Sequence, residues 1–158
     1  KLKCSLFAVS TVQEEIGLRG ARTAGYGVDP SIGIAVDVTH ATDYPGIDKR
    51  RHGEYKLGGG PVLSRGSAVN GAVFERLVAA AEKEKIPYSV EAAPRMTNTD
   101  ADHIFTAARG VATGLVSVPL RYMHSPNELV QLEDLDRAAR LLAAFARGLK
   151  SDAGFAPR

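Results

Sequence analysis

Short apolar runs rich in β-branched residues alternate along this chain with stretches whose apolar residues recur at helical spacing, and few architectures satisfy both periods in turn. The runs are "LFAVSTV" (6–12), "SIGIAVDVTHA" (31–41), "PVLSRG" (61–66), "YSVEAAP" (88–94) and "ATGLVSVPLRY" (112–122). Each reads as a strand. Between them, Val69, Val73, Leu77 and Ala80 mark one face of an amphipathic helix that Pro87 closes. "EDLDRAARLLAAFARGLK" (133–150) is a second such helix, with a stripe of Leu135, Ala138, Leu142, Phe145 and Leu149. A shorter helix fits "GLRGARTAGY", ended by Gly25 and Gly27. "TNTDADHIFTAARG" reads as a loop turned into a short helix by Asp100 or Thr99. The alternation predicts an α/β domain, a mostly parallel or mixed sheet sandwiched by helices, whose functional groups gather at the carboxyl ends of strands.

Two local signals refine that picture. Pro119 lacks an N–H and so favours the edge or the end of a sheet. "HSPNE" has a capping-box pattern, Ser125 to Glu128 with Pro126 at the first helical position, and predicts a helix start ahead of the last helix. Residues 1–150 read as one folded unit and 151–158 as a frayed tail.

Charge and cysteine content exclude several classes. With Lys+Arg 20 against Asp+Glu 18, spread along the 158 residues, no basic footprint for nucleic acid exists. "DKRRH" (48–52) reads as a solvated loop. No apolar run approaches the roughly 20 residues that span a bilayer, so no membrane partner is expected. Cys4 is the single cysteine, which excludes an internal disulfide and a cysteine-rich zinc site and suits a reducing cytoplasm.

The chemistry concentrates in carboxylates placed at strand ends. Glu14 and Glu15 follow the first apolar run, and neighbouring carboxylates there repel each other and lose hydration unless a cation or shared proton compensates them. A plainer reading makes them the acidic start of a solvated helix. Asp37 is embedded in the second apolar run, where a carboxylate needs an arginine, a helix N-terminus or a metal. His124 follows the "ATGLVSVPLRY" strand. Together these four are hard oxygen and imidazole donors of the kind zinc, cobalt or manganese takes, with one carboxylate left over as a base. His124 taken singly also fits a hydrogen-bonded surface histidine, as do His40, His52 and His103; for His52 and His103 that plain reading stands. Gly58, Gly59 and Gly60 lack the Lys-Ser/Thr of a phosphate loop but allow a ligand close to the backbone.

The segments "TVQEEIGLRGA", "AVDVTHATDYPG", "LGGGPVLSRG", "NTDADHI" and "VPLRYMHSPNE", in this order and at these separations, resemble the catalytic domain of metallopeptidase family 42. These are dinuclear aminopeptidases, some of them long labelled endoglucanases. The resemblance implies hydrolysis of the N-terminal residue of oligopeptides by water activated at two divalent metal ions, zinc or cobalt. It implies Glu14 as the general base, Glu15 and His124 as ligands of one ion and Asp37 as a ligand of the other. Gly58 to Gly60 resemble the loop beside the substrate, and Asp100 a residue of the adjoining pocket.

The family pattern also includes a histidine and a bridging aspartate from a preceding segment, and an inserted dimerisation domain that builds homo-oligomers. Neither has a counterpart in this sequence. The chain therefore reads as the C-terminal part of a catalytic domain, inactive alone. Asn98 stands where the family pattern has a glycine. The rival readings are an endoglucanase-type glycoside hydrolase, which would need two carboxylates across a sugar, and a non-catalytic interaction module, which would need no cations.

Overall fold

The computed structural model describes residues 2–150 and 154–155. Five helices and five strands follow in the order α1 (Arg19–Val28), β1 (Ile32–His40), α2 (Lys49–His52), β2 (Val62–Gly66), α3 (Gly71–Lys83), β3 (Ser89–Ala93), α4 (Ala101–Ile104), β4 (Ala112–Arg121), β5 (Leu129–Val130) and α5 (Leu132–Gly148). The sheet is mixed, in the order β1-β4-β2-β3, with β5 pairing β4. β1 runs parallel to β4, and β3 parallel to β2; β2 and β5 run antiparallel to β4.

β4 is central, and Thr113 through Leu120 are all buried. A strand covered on both faces loses the apolar/polar alternation, which is why "TGLVSVPL" reads as a nearly continuous apolar run. Its side chains nonetheless sort by parity. Val116 and Val118 join Leu63, Val73, Leu77, Leu141 and Phe145 in the main core under α3 and α5. Leu115 packs with Ala35 and Ala101 on the opposite, α4 side. Burying each large apolar side chain contributes on the order of 1.5–3 kcal/mol, so this layer carries the fold. α3 is started by Asn70, whose side-chain oxygen accepts the N–H groups of Ala72 and Val73 at 3.0 and 3.2 Å.

The register decides what the α4 face displays. Asp37 pairs with Ser117, Ser117 with Val62, and Ser64 with Glu91. Residues paired in register share a face, and so do residues two apart on a strand. Asp37, Thr39, Ser117, Ser64 and Glu91 therefore project from the same side of the sheet.

Several expectations from sequence do not hold. Residues 6–12 are not a strand: Leu6, Phe7, Val9 and Val12 are 69%, 65%, 52% and 66% exposed, and no strand of the sheet pairs with them. An apolar, β-branched run becomes a strand only when a neighbour takes its backbone groups. "DKRRH" is a short helix, with the Asp48 side chain accepting the Arg50 N–H at 3.0 Å. α1 continues through Gly25 and Gly27 and closes at Asp29, whose N–H bonds Gly25 O.

Pro119 lies in the central strand, fully buried. The Leu120 carbonyl faces β1, where it accepts the Ala41 N–H at 2.9 Å. By alternation Pro119 turns its missing N–H to the other side, between Ser117, where β2 pairs, and Leu120, where β5 pairs. "HSPNE" starts no helix: β5 intervenes and the N-cap of α5 is Gln131. Glu128 instead accepts the backbone N–H of His124 at 2.6 Å.

On α5 the buried face runs through Asp134, Ala138, Leu141 and Phe145, whereas Leu135 is 45% exposed. At the start of α4, Thr99 Oγ1 is the acceptor for the Ala101 N–H, and Asp100 makes no cap bond. Of the tail, residues 151–153 and 156–158 lie outside the described residues; Phe155 is buried, and its ring lies under Arg76.

Candidate active site

Glu14 and Glu15 occupy a turn between the N-terminal segment and α1, closed by Gly17 and Leu18 N–H groups donating to Glu14 O at 3.2 and 3.0 Å. The turn is seated by Gly20, whose N–H donates to Val12 O at 2.9 Å; a Cβ on Gly20 would meet the Val12 backbone at 2.4 Å. Gln13, immediately before the pair, has φ 60, in the left-handed region non-glycine residues seldom adopt. Opposite this turn the chain leaves β4 through Tyr122 and His124, with φ of 64 and 60. These two unusual turns face each other. His124 Nε2 stands 3.2 Å from Glu15 Oε2.

Asp37 projects from β1 toward this rim, half-buried, with its Oδ1 accepting the Val38 N–H at 2.7 Å. Asp100 approaches from the loop ahead of α4. Its Oδ2 accepts the Thr11 hydroxyl at 2.5 Å, and its Oδ1 is buried without a hydrogen-bond partner among the described residues. The loop is held by Asp102, 5% exposed, which accepts the N–H groups of Thr97 and Asn98 and the Thr97 hydroxyl.

The electrostatics join these groups into one site. Burial lifts Glu14 above the usual carboxylate range, and the charges of Asp37, Glu15 and Asp100 lift it further, while His124 opposes them. Asp37 is lifted by burial and by Asp100 and Glu15, against the pull of the Val38 N–H. Carboxylates that raise each other's proton affinity in this way are relieved by a cation or a shared proton.

Gly58, Gly59 and Gly60 lie beside the carboxyl-terminal half of β4, because Val62 pairs with Ser117 just after them. The Gly58 and Gly60 N–H groups donate to Asp134 Oδ2 and Oδ1 at 2.7 and 2.8 Å, and Arg137 Nη1 donates to Gly58 O at 2.6 Å. Gly60 has φ +89, and a Cβ there would fall 1.8 Å from Pro87 O, so this position requires glycine. One residue upstream, the Leu57 N–H donates to Asp43, which Arg121 grips at 2.9 Å.

Asp134, Asp43, Arg121 and Glu91 escape the sequence reading. Asp134 had one usable signal, its place on a helical stripe with Ala138, Leu141 and Phe145; Asp43 and Glu91 had none. Of the histidines set aside, His103 Nδ1 lies 3.1 Å from Leu18 O and joins α4 to the segment before α1, and His52 sits on α2 away from the site.

In kind, the donors fit a divalent cation: carboxylate oxygens and one imidazole, with a carboxylate to spare. In number the fit is partial. Glu15 and His124 come together, but among the described residues no group of three His, Cys, Asp or Glu is placed to hold a metal ion.

Residues 1–141 match the family model described as M42 glutamyl aminopeptidase. The chain is 43% identical over 148 residues to a lysyl aminopeptidase of Pyrococcus furiosus, covering 94% of this chain and 42% of that protein. It superposes with TM-score 0.83 on a TET aminopeptidase from a marine sediment thaumarchaeote, at 32% identity, covering 90% of this chain and 40% of the other. With TM-score 0.68 and 28% identity, covering 88% and 40%, it also matches the TET1 peptidase of Pyrococcus horikoshii, which assembles into a tetrahedron or a large octahedral shell. The chain thus spans about two fifths of the length of the curated relatives it matches.

Proposed function

From the premise that this chain belongs to the M42 glutamyl aminopeptidase family, we propose that the intact protein is a metal-dependent aminopeptidase that removes N-terminal residues from oligopeptides. The observation that carries the reading is the approach of Glu15 to His124 with Glu14 next to them in the chain. Two residues distant in sequence present an oxygen and a nitrogen donor to one point.

In this reading Glu15 and His124 would hold one divalent ion, zinc or cobalt, and Asp37 the second. Such ions, when bound, polarise the scissile carbonyl and make water acidic enough to ionise near neutral pH. Glu14 acts as the general base. It takes the proton of the attacking water and returns it to the leaving amine. Gly58 to Gly60, drawn taut by Asp134, present backbone to the substrate, and Asp100 borders the pocket.

The remaining ligands would come from residues other than those described, so the chain by itself is proposed to be inactive. The assembly of the TET1 relative supports a homo-oligomer for the intact protein. Glu14→Gln in the intact, metal-loaded protein tests the assignment: metal content should stay unchanged while kcat falls at least about a hundredfold. Wild-type turnover in that variant would remove Glu14 from the role.

A further inference from the structure

The turn that carries Glu14 and Glu15 is not held by a strand. Residues 6–12 have no strand partner among the described residues, and the turn closes on itself and on α1, through the Gly17 and Leu18 N–H groups on Glu14 O and the Gly20 N–H on Val12 O. Both of its flanks are left-handed, Gln13 with φ 60 and Leu18 with φ 54. Residues with side chains keep that conformation only where the surroundings fix it.

Two side chains from one short segment do so. Asp100, in the loop before α4, accepts the Thr11 hydroxyl on Oδ2 at 2.5 Å, three residues ahead of Glu14. His103, on α4, places Nδ1 3.1 Å from Leu18 O, three residues beyond Glu15. A carbonyl only accepts, so Nδ1 carries the proton and donates. The two bonds bracket the carboxylate pair. Between them in the chain, buried Asp102 accepts the Thr97 and Asn98 N–H groups and fixes the loop.

The same segment is seated on the sheet. Ala101 packs against Ala35 and Leu115, and Ile104 lies so close to β1 that a Cβ on Gly33 would fall 2.4 Å from Ile104 Cγ2. Ala35 stands two residues before Asp37, on the same face of β1. Residues 100–104 therefore link the strand that bears Asp37 to the turn that bears Glu14 and Glu15.

We infer that residues 100–103 clamp the Glu14–Glu15 turn in place relative to Asp37, with His103 and Thr11 as positioning residues. The inference rests on the aminopeptidase reading for its catalytic consequence. A general base must stand within hydrogen-bond reach of the proton it takes, and a displacement of about 1 Å can cost on the order of a hundredfold in rate.

The test uses paired variants of the intact, metal-loaded protein. His103→Leu removes the donor, and His103→Asn restores one, because Asn Nδ2 takes the place of Nδ1; Thr11→Val removes the hydroxyl, and Thr11→Ser keeps it. On leucyl-p-nitroanilide, kcat should fall at least about tenfold in the Leu and Val variants with KM within about twofold of wild type, and the Asn and Ser variants should recover most of it. An unchanged kcat in the Leu and Val variants, or a loss that Asn and Ser do not repair, overturns the clamp. Amide hydrogen exchange across residues 13–18, read by mass spectrometry, is independent of turnover. The Gly17 and Leu18 N–H groups should exchange faster in the Leu and Val variants and at the wild-type rate in the other two, and unchanged exchange in all four overturns the clamp. If the wild type cleaves no peptide substrate, the aminopeptidase reading fails, and the exchange comparison alone decides for or against the clamp.

Discussion

Glu15 and His124 meet at 3.2 Å although one precedes the first helix and the other follows the fourth strand. Both side chains are largely exposed, 72% and 68%, so their contact adds little to stability. Their arrangement makes sense as a pair of donors, and its chemical consequence is direct. Two donors are fewer than the three or four protein ligands a zinc ion takes. Zinc titration of this chain by calorimetry should therefore show only weak binding, abolished by His124→Ala. Two tight sites per chain would mean that the ligand set is complete within it.

Asp134 holds the glycine loop from beneath, at 0% exposure. Asp134→Ala would strand the Gly58 and Gly60 N–H groups and leave Arg137 without one acceptor. Each buried donor left unsatisfied costs about 1–3 kcal/mol. Urea unfolding should show a loss in that range or above, with Leu135→Ala, on the exposed side of the same helix, losing far less.

The Asp43–Arg121 pair predicts an acid-dependent stability. The Arg121 guanidinium holds the Asp43 carboxyl below its ordinary range, helped by the Leu57 N–H and opposed by partial burial. A carboxyl lowered on folding stabilises above its unfolded pKa, and that contribution is lost as pH falls through the folded value. Asp43→Asn should lower the thermal midpoint at pH 7, and the difference from wild type should close as the pH drops below about 4, where the unfolded carboxylate also protonates. A difference that persists undiminished in acid would place the effect in packing.

Glu91 has the opposite sign. Its carboxyl is raised on folding, chiefly by burial, so ionisation costs stability as pH rises from the unfolded pKa through the folded one. Glu91→Gln should raise the thermal midpoint at pH 7 and leave it unchanged below about pH 4. A lower midpoint at neutral pH would show instead that the charge stabilises the sheet.

The sequence by itself determined the pieces whose cause is local. β1, β2, β3 and β4 were legible as apolar runs, and α3 and α5 as helices, because side-chain period follows directly from backbone geometry. The order of the five motifs also set Glu15 and His124 side by side, and they stand 3.2 Å apart, although Glu15 lies in a turn and not at the strand end expected of residues 6–12. Tertiary structure decided everything that depends on what stands opposite. The run at 6–12 has strand composition but no strand partner among the described residues, so its apolar side chains stay exposed. Pro119 is tolerated in the central strand because its missing N–H falls between two short neighbours. Asp134 shares the helical stripe of Ala138, Leu141 and Phe145, but an acidic residue in the first turn of a helix ordinarily faces water; only the return of the Gly58–Gly60 loop supplies the N–H groups that justify its burial. Glu91 is the clearest case: the hydroxyl that bonds its carboxylate belongs to Thr39 on another strand, and the tertiary fold, not sequence proximity, brings it there.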